Sequence, residues 1–302
     1  MKLCIASGKG GAGKTTITAG LAHVWGGSVL AADLDVEAPN LHLFLRPDLP
    51  DEETVTLPVP ELNPERCTQC GLCRDICHYG AVARFAGRVS FFPDMCHGCG
   101  GCFAVCAAGA LRTGGRELGR LHRGSFADGR FLMGRSRIGE AMTPPLLRRL
   151  LFRLDAMLED CAADAFMDAP PGVSCPAMTA ARGADAMLLA AEPTPFGLHD
   201  FRLACEAFST LDMPLAAVLN RAGQDAACDG AVLEYCAEHG IPVLGALPFD
   251  EAAARGYAAG KLVPDISPAW RERFEALAEA VASFLHGAGL SVRTDREATC
   301  VK

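Results

Sequence analysis

Apolar residues along this chain fall into two kinds of run. Short continuous ones, Leu3–Ala6, Val29–Ala32, Ala165–Met167, Ala186–Ala191, Leu215–Leu219 and Val243–Leu247, are bounded by polar, glycine or proline residues. They read as strands buried on both faces. Between them lie longer stretches of helical spacing. One opens at Lys14 and ends at Gly26-Gly27, another runs from Pro144 to Glu159, and the last runs from Pro268 to His286, before Gly287. Alternation of this kind predicts an α/β fold, a mostly parallel sheet covered by helices on both faces.

The pattern breaks near residue 50. Asp51 to Pro64 is acidic and proline-bearing and reads as a linker. From Arg112 to Arg137 seven arginines stand against Glu117 and Asp128 in a glycine-punctuated pattern that predicts a hairpin or two short strands. Those arginines are read either as a solvated edge or as a docking face for an acidic redox partner or for the neighbouring cysteine-rich segment.

Length, charge and cysteine narrow the function. A chain of 302 residues can bury about three quarters of its unfolded surface. A formal charge of −8 with a pI near 5.5 speaks against nucleic acid as a partner. No secretory pattern and no apolar run of about 20 residues is visible, so a soluble, cytoplasmic protein with no stable membrane anchor is expected. Fifteen cysteines are then far too many for disulfides in a reducing compartment, and metal or cluster ligation is the expectation.

Their spacing is specific. Cys67-x-x-Cys70-x-x-Cys73-x-x-x-Cys77 is repeated as Cys96-x-x-Cys99-x-x-Cys102-x-x-x-Cys106, the run of a bacterial two-cluster ferredoxin. In that run three close thiolates hold one cluster and the fourth reaches the other. Cys67, Cys70, Cys73 and Cys106 are therefore assigned to one [4Fe–4S] cluster, and Cys77, Cys96, Cys99 and Cys102 to the second. Paired zinc sites are the alternative. The proline that normally follows the fourth cysteine is His78 in the first run and Ala107 in the second. His78 and His97, beside ligands, read as loop residues.

At the other end of the chain, Gly8-Lys9-Gly10-Gly11-Ala12-Gly13-Lys14-Thr15-Thr16 sits between a strand and a helix. That is the context of a phosphate-binding loop, whose N–H groups turn inward at a helix N-terminus. Lys14 would reach the β- and γ-phosphates, and the Thr15 hydroxyl would hold Mg²⁺. Asp33 and Asp168 end two of the strands, and strand-end carboxylates near such a loop suit Mg²⁺. Cys175, a little further on, reads as a small buried residue.

The extra lysine at position 9 gives a loop that resembles the deviant phosphate loop of the MinD/ParA-type ATPases. The resemblance implies a P-loop NTPase over residues 1–55 and 114–302, interrupted by a ferredoxin-like α+β insert over 56–113. It implies ATP/ADP and Mg²⁺ as ligands, with Lys9 crossing to the partner's phosphates in a homodimer formed on ATP binding. Asp35 matches the residue that places the attacking water, and Asp168 with Pro170, Pro171 and Gly172 matches a γ-phosphate-sensing switch. Asn220, Arg221 and Pro248 fall at adenine-recognising positions. The stretch Glu192 to Asp200 is similar to members carrying an inserted ferredoxin. The tail Ser291–Lys302 lacks the membrane helix that ends the division-site members. The implied activity is ATP binding and slow hydrolysis coupled to two [4Fe–4S] clusters. ATP-gated electron transfer to a redox or iron–sulfur partner is favoured; cluster assembly or delivery and a positioning role with structural clusters are the alternatives.

Overall fold

The computed structural model describes residues 1–127 and 129–292. The chain divides into two compact units. One holds Met1–Glu52, Leu121–Arg135 and the residues from Leu147 on; the other holds Glu53–Arg120 and Ser136–Leu146.

The eleven strands of the described residues are β1 (Lys2–Ala6), β2 (Val29–Asp33), β3 (Asp48–Leu62), β4 (Val82–Phe85), β5 (Arg88–Phe91), β6 (Leu111–Phe126), β7 (Gly129–Ser136), β8 (Asp164–Asp168), β9 (Ala186–Ala191), β10 (Leu215–Ala222) and β11 (Val243–Pro248). The helices are α1 (Lys14–Val24), α2 (His42–Leu45), α3 (Leu72–Asp75), α4 (Gly101–Ala104), α5 (Pro144–Asp160), α6 (Cys175–Arg182), α7 (Pro195–Ser209), α8 (Ala226–Glu238), α9 (Glu251–Ala258) and α10 (Pro268–Gly287).

Nine strands form one sheet in the order β11-β10-β9-β1-β8-β2-β7-β6-β3. From β11 to β7 every neighbouring pair is parallel. Strands β2, β8 and β9 are buried along their whole length, as a parallel sheet between helix layers requires. Register sets Ile5 and Asp33 on either side of Asp168, so two strand-end carboxylates meet beside the strand that enters the phosphate loop. Helix α10 starts at Ser267, whose side chain caps the Trp270 amide, and buries Trp270, Phe274, Leu277, Val281 and Leu285 at helical spacing. It meets α1 at Gly20, where an added Cβ would stand 2.2 Å from the Phe274 ring.

The segment expected as a linker is part of β3. Val55, Leu57 and Val59 are buried in strict alternation with exposed Thr54, Thr56 and Pro58. Pro50, Pro58 and Pro60 misled the sequence reading, yet β3 is the last strand of the sheet, and an edge strand tolerates proline because one row of N–H groups goes unused. The arginine-rich stretch forms strands of 16 and 8 residues, β6 and β7, neighbours in the sheet as the hairpin reading expected and longer than the two short strands given as its alternative. Its arginines are neither simply solvated nor a free face. Arg116 is buried and donates through Nη1 to the Asp94 carbonyl at 2.6 Å, with Glu140 at 3.4 Å. Arg137 pairs with Asp94 at 2.9 Å, and Arg112 with Glu61 at 2.8 Å.

The second unit runs beyond the expected 56–113. It carries a two-stranded antiparallel ribbon, β4–β5, turned at Ala86-Gly87, both at positive φ. The cysteine repeat is visible in the backbone too. Gly71 and Gly100, each directly after the second cysteine of a run, are left-handed at φ 88° and 78° and start α3 and α4.

Candidate functional site

The phosphate loop curls over the end of β1 and delivers Lys14 as the first residue of α1. Gly13, at φ 96°, must be glycine twice over, since an added Cβ would also lie 2.0 Å from Asn220 Nδ2. That Asn220 amide donates to the Ala12 carbonyl at 2.9 Å and so ties the end of β10 to the loop. Lys14 is only 8% exposed, and its ammonium donates to Ser7 Oγ at 3.2 Å. Burial pulls its pKa down; the carboxylates of Asp168 and Asp35 oppose that.

Five polar side chains converge next to it. Thr15 Oγ1 donates to Asp168 Oδ2 at 2.6 Å and contacts Asn40 Oδ1 at 2.9 Å. Asp168 is fully buried, and burial is the first cause of its raised pKa, opposed by the Thr15 hydroxyl and Lys14. Asp33 is buried too, with its carboxyl oxygens accepting from the backbone of Asp35 (3.1 Å), Asn40 and Leu41 (both 2.9 Å). Asp33 thus shapes the loop that carries Asp35, while Asp168 is the strand-end acid that touches Thr15. Asp35 faces the cleft, with its pKa raised by burial and lowered by the Ala38 amide and Lys14. Gly172, at φ 75°, donates its N–H to the Ser7 carbonyl at 3.0 Å, which holds the switch segment against the start of the loop.

These residues open into a cleft of about 430 Å³ lined by Gly10, Gly11, Gly13, Lys14, Thr15, Thr16, Asp35, Pro171, Asn220, Arg221 and Pro248. Pro248 is the last residue of β11 rather than a loop residue. Sequence reasoning did not single out Asn40, Phe249, Asp250, Tyr257 or Trp270, which also line the cleft. Nothing local marks them; Tyr257 stacks on Phe44 at 4.5 Å, and Trp270 Nε1 donates to Asp250 at 2.7 Å, both contacts between distant segments.

Sequence reasoning also missed the partner of Lys9. Its ammonium lies 2.6 Å from Glu192 Oε2, and Arg221 Nη1 donates to the other oxygen of the same carboxylate at 2.6 Å. Glu192 therefore bridges Lys9 and Arg221, of which Arg221 lines the cleft. Cys175, expected to be buried, is exposed, because it starts α6 directly after the switch segment.

In the second unit Cys67, Cys70, Cys73 and Cys106 line one cavity of about 190 Å³, with Leu62, Leu72, Val89 and Val105. Cys77, Cys96, Cys99 and Cys102 line a second, tighter one with Ile76, Tyr79, Phe92 and Phe103. None of the eight is in a disulfide. Burial and then the neighbouring Cys67 and Cys70 push the Cys73 thiol up; Cys102 responds in the same way to burial, Cys96 and Cys99. The Gly98 amide donates to Cys96 Sγ at 3.4 Å and the Ala110 amide to Cys106 Sγ at 3.3 Å. Among the described residues no three His, Cys, Asp or Glu side chains close on one ion position. His97 stacks on Tyr79 at 3.7 Å, and His78 is exposed.

Known proteins match this arrangement. A family model described as the CobQ/CobB/MinD/ParA nucleotide binding domain covers residues 3–263. The uncharacterized protein MJ0578 of Methanocaldococcus jannaschii is 30% identical over 74% of this chain and 79% of its own length. MJ0579 of the same organism is 28% identical over 74% and 81%. Among solved structures, the cell division ATPase MinD of Pyrococcus furiosus superposes with a TM-score of 0.58 at 23% identity, over 93% of this chain and 98% of that one. MinD of Pyrococcus horikoshii, complexed with Mg-ADP, gives 0.57 at 20%, over 96% and 99%. The chain belongs to the CobQ/CobB/MinD/ParA family of P-loop nucleotide-binding proteins.

Proposed function

We propose that this protein is a Mg²⁺-dependent ATPase that dimerises on ATP binding and links its nucleotide state to two [4Fe–4S] clusters, gating electron transfer to a partner protein. The observation that carries the reading is the sorting of eight cysteines. Two groups of four, each drawn from both sequence runs, line two separate cavities in a chain whose other unit holds a complete phosphate loop. Cys67, Cys70, Cys73 and Cys106 would hold one cluster, and Cys77, Cys96, Cys99 and Cys102 the other. The donor set fits: all thiol, free of disulfides, and supplied with backbone N–H donors to sulfur. A zinc site would close four ligands at 2.0–2.3 Å on one ion. Thiolates on a cubane bind four separate irons and need no such closure. The clusters supply one-electron transfer.

In the nucleotide unit, positioning and charge do the chemistry, because phosphoryl transfer asks for little covalent help. Lys14 neutralises phosphate charge at the head of α1, while Thr15 and Asp168 hold Mg²⁺. Of the two strand-end acids, Asp168 is the better ligand, since backbone N–H groups already occupy the Asp33 oxygens. Asp35 orients the water. Asn220 and Arg221 lie on the adenine side and Lys9 serves the partner subunit's nucleotide. Mg-ADP in the P. horikoshii MinD complex supports this ligand class.

A second reading is a positioning ATPase with structural clusters, favoured by the fold shared with the cell division ATPases. Cluster delivery is less favoured, since outside the two runs the chain has no Cys-x-x-Cys. Anaerobic purification should give about eight irons and eight labile sulfides per chain, with visible absorption that bleaches on reduction. Stoichiometric zinc without sulfide refutes the cluster assignment. Cluster oxidation rates that do not respond to ATP refute gating and leave the positioning reading.

A further inference from the structure

In the arginine-rich stretch from Arg112 to Arg137, Arg112, Arg116 and Arg137 are already spent on Glu61, the Asp94 carbonyl, Glu140 and Asp94. The basic surface next to a cysteine cavity lies elsewhere. Between Glu65 and Arg88 the chain carries Arg66, Arg74, Arg84 and Arg88 against Glu65 and Asp75, a net positive stretch in a chain of formal charge −8. All four arginines are exposed, and one of them, Arg74, pairs with Asp75 at 3.0 Å. Two others flank the β4–β5 turn, Arg84-Phe85-Ala86-Gly87-Arg88.

That turn lies against the loop carrying Cys70. A Cβ added at Gly71 would stand 3.4 Å from the Arg84 guanidinium, and one added at Gly87 would stand 3.4 Å from Gln69 Oε1. Of the four cysteines lining the first cavity, Cys70 is the exposed one. At the tip stands Phe85, 85% exposed. Neither the sheet nor the nucleotide cleft uses it. Arg88 is the cross-strand partner of Phe85 and Arg84 precedes it, so the tip pairs an exposed aromatic with cations, the composition of a protein-recognition spot.

We infer that the β4–β5 tip, Arg84, Phe85 and Arg88, is the docking surface for a small acidic one-electron carrier protein that exchanges electrons with the cluster held by Cys67, Cys70, Cys73 and Cys106. This rests on the cluster reading given above. The exchange is a single electron from the reduced carrier to that cluster, with no bond made or broken and no proton required. Carriers of acidic surface are steered by the arginines, and Phe85 sets the close approach that electron transfer needs. A basic carrier is repelled by the same residues.

The test uses the full-length protein, purified without oxygen, with a chemically reduced acidic plant-type ferredoxin as donor and stopped-flow detection of cluster bleaching. Wild type should react with a second-order rate that falls steeply with added salt. R84E/R88E should slow it at least tenfold at low salt and flatten the salt dependence. F85S, a change at an exposed tip, should slow it with the salt dependence kept. Iron and sulfide content, and bleaching by dithionite, should be unchanged in both variants, which separates docking from cluster loss. An unchanged rate in R84E/R88E, or equal slowing when the reduced cluster is re-oxidised by oxidised basic cytochrome c, overturns the docking surface while the clusters stand. Wild type without labile sulfide overturns the cluster reading, and the docking inference falls with it. If R84E/R88E itself loses iron, F85S decides: an unchanged rate there overturns the inference.

Discussion

The nucleotide cleft and the cysteine cavities differ in what holds their side chains in place. In the cleft, carboxylates and lysine are buried and already partnered: Asp33 by three amides, Asp168 by Thr15, Lys14 by Ser7, Asn220 by the Ala12 carbonyl. Around the cavities the cysteines stand on short helices and loops over a thin apolar core of Val55, Leu57, Val59, Ala81, Val82, Val89 and Ala110. A core that small rarely supports a fold unaided, and bound metal or clusters are the usual remedy. One site is pre-organised by the sheet; on the cluster reading proposed above, the other depends on what it binds.

The largest expected effect tests that dependence. Stripping iron, or Cys70→Ser together with Cys99→Ser, should make residues 65–107 sensitive to protease and fast in amide exchange. Strands β1, β8 and β9 should keep full protection, because they are buried on both faces of the sheet. Cys236→Ser, in the nucleotide unit, should lose no iron. Unchanged exchange over 65–107 in iron-free protein would show that the second unit stands alone.

Next comes Arg116→Met. Arg116 is buried against Glu140, whose side chain is 3% exposed, so the change leaves that buried carboxylate only Arg137 at 3.6 Å and the Met142 amide. A loss of about 3 kcal/mol is expected, confined to the second unit. Two optical probes separate the units, since both tryptophans, Trp25 and Trp270, lie in the nucleotide unit and cluster absorption reports the other. Denaturant should bleach the clusters earlier while the tryptophan transition stays put. A shift of both would show that the two units unfold together.

Lys14→Ala removes the buried ammonium of the phosphate loop and should weaken nucleotide binding by roughly 100-fold, about 2.7 kcal/mol, with iron content unchanged. Lys9→Ala should leave binding by the monomer within a few-fold and reduce ATP-dependent dimerisation, read by light scattering. Equal loss of binding in both variants would show that Lys9 acts on its own subunit's nucleotide.

How much of this was legible from sequence follows the same division. Where chemistry is written in consecutive residues, as in Gly8–Thr16 or the paired cysteine runs, side chains and loop geometry come from one local segment. The cysteines of each run could be sorted because the fourth has a fixed reach, and the same fours line the two cavities. Where a role depends on a distant partner it was invisible. Glu192 meets Lys9 across most of the chain length, and Asn40 meets Thr15 only because Asp33 pins the loop between them. Proline was read as a linker signal in β3 because edge position is a property of the sheet, not of the segment.

The smallest expected effect concerns that Glu192 bridge. Burial pushes its carboxyl up, but hydrogen bonds from Lys9 and Arg221 outweigh burial and hold its pKa below the ordinary 4.5. A carboxylate with a depressed folded-state pKa stabilises the fold above its unfolded pKa, and that contribution is lost as pH falls through the folded value. Glu192→Gln keeps the shape and removes the charge. Since Lys9 and Arg221 are both partly in solvent, the cost near pH 7 should be modest, about 0.5–1 kcal/mol. The gap between wild type and variant should be constant from pH 7 down to about 4.5 and close below it. It should also shrink in high salt, as a screened pair does. A gap that persists unchanged into acid would mean that Glu192 acts through packing. One that opens only above pH 7 would point to a different titrating group.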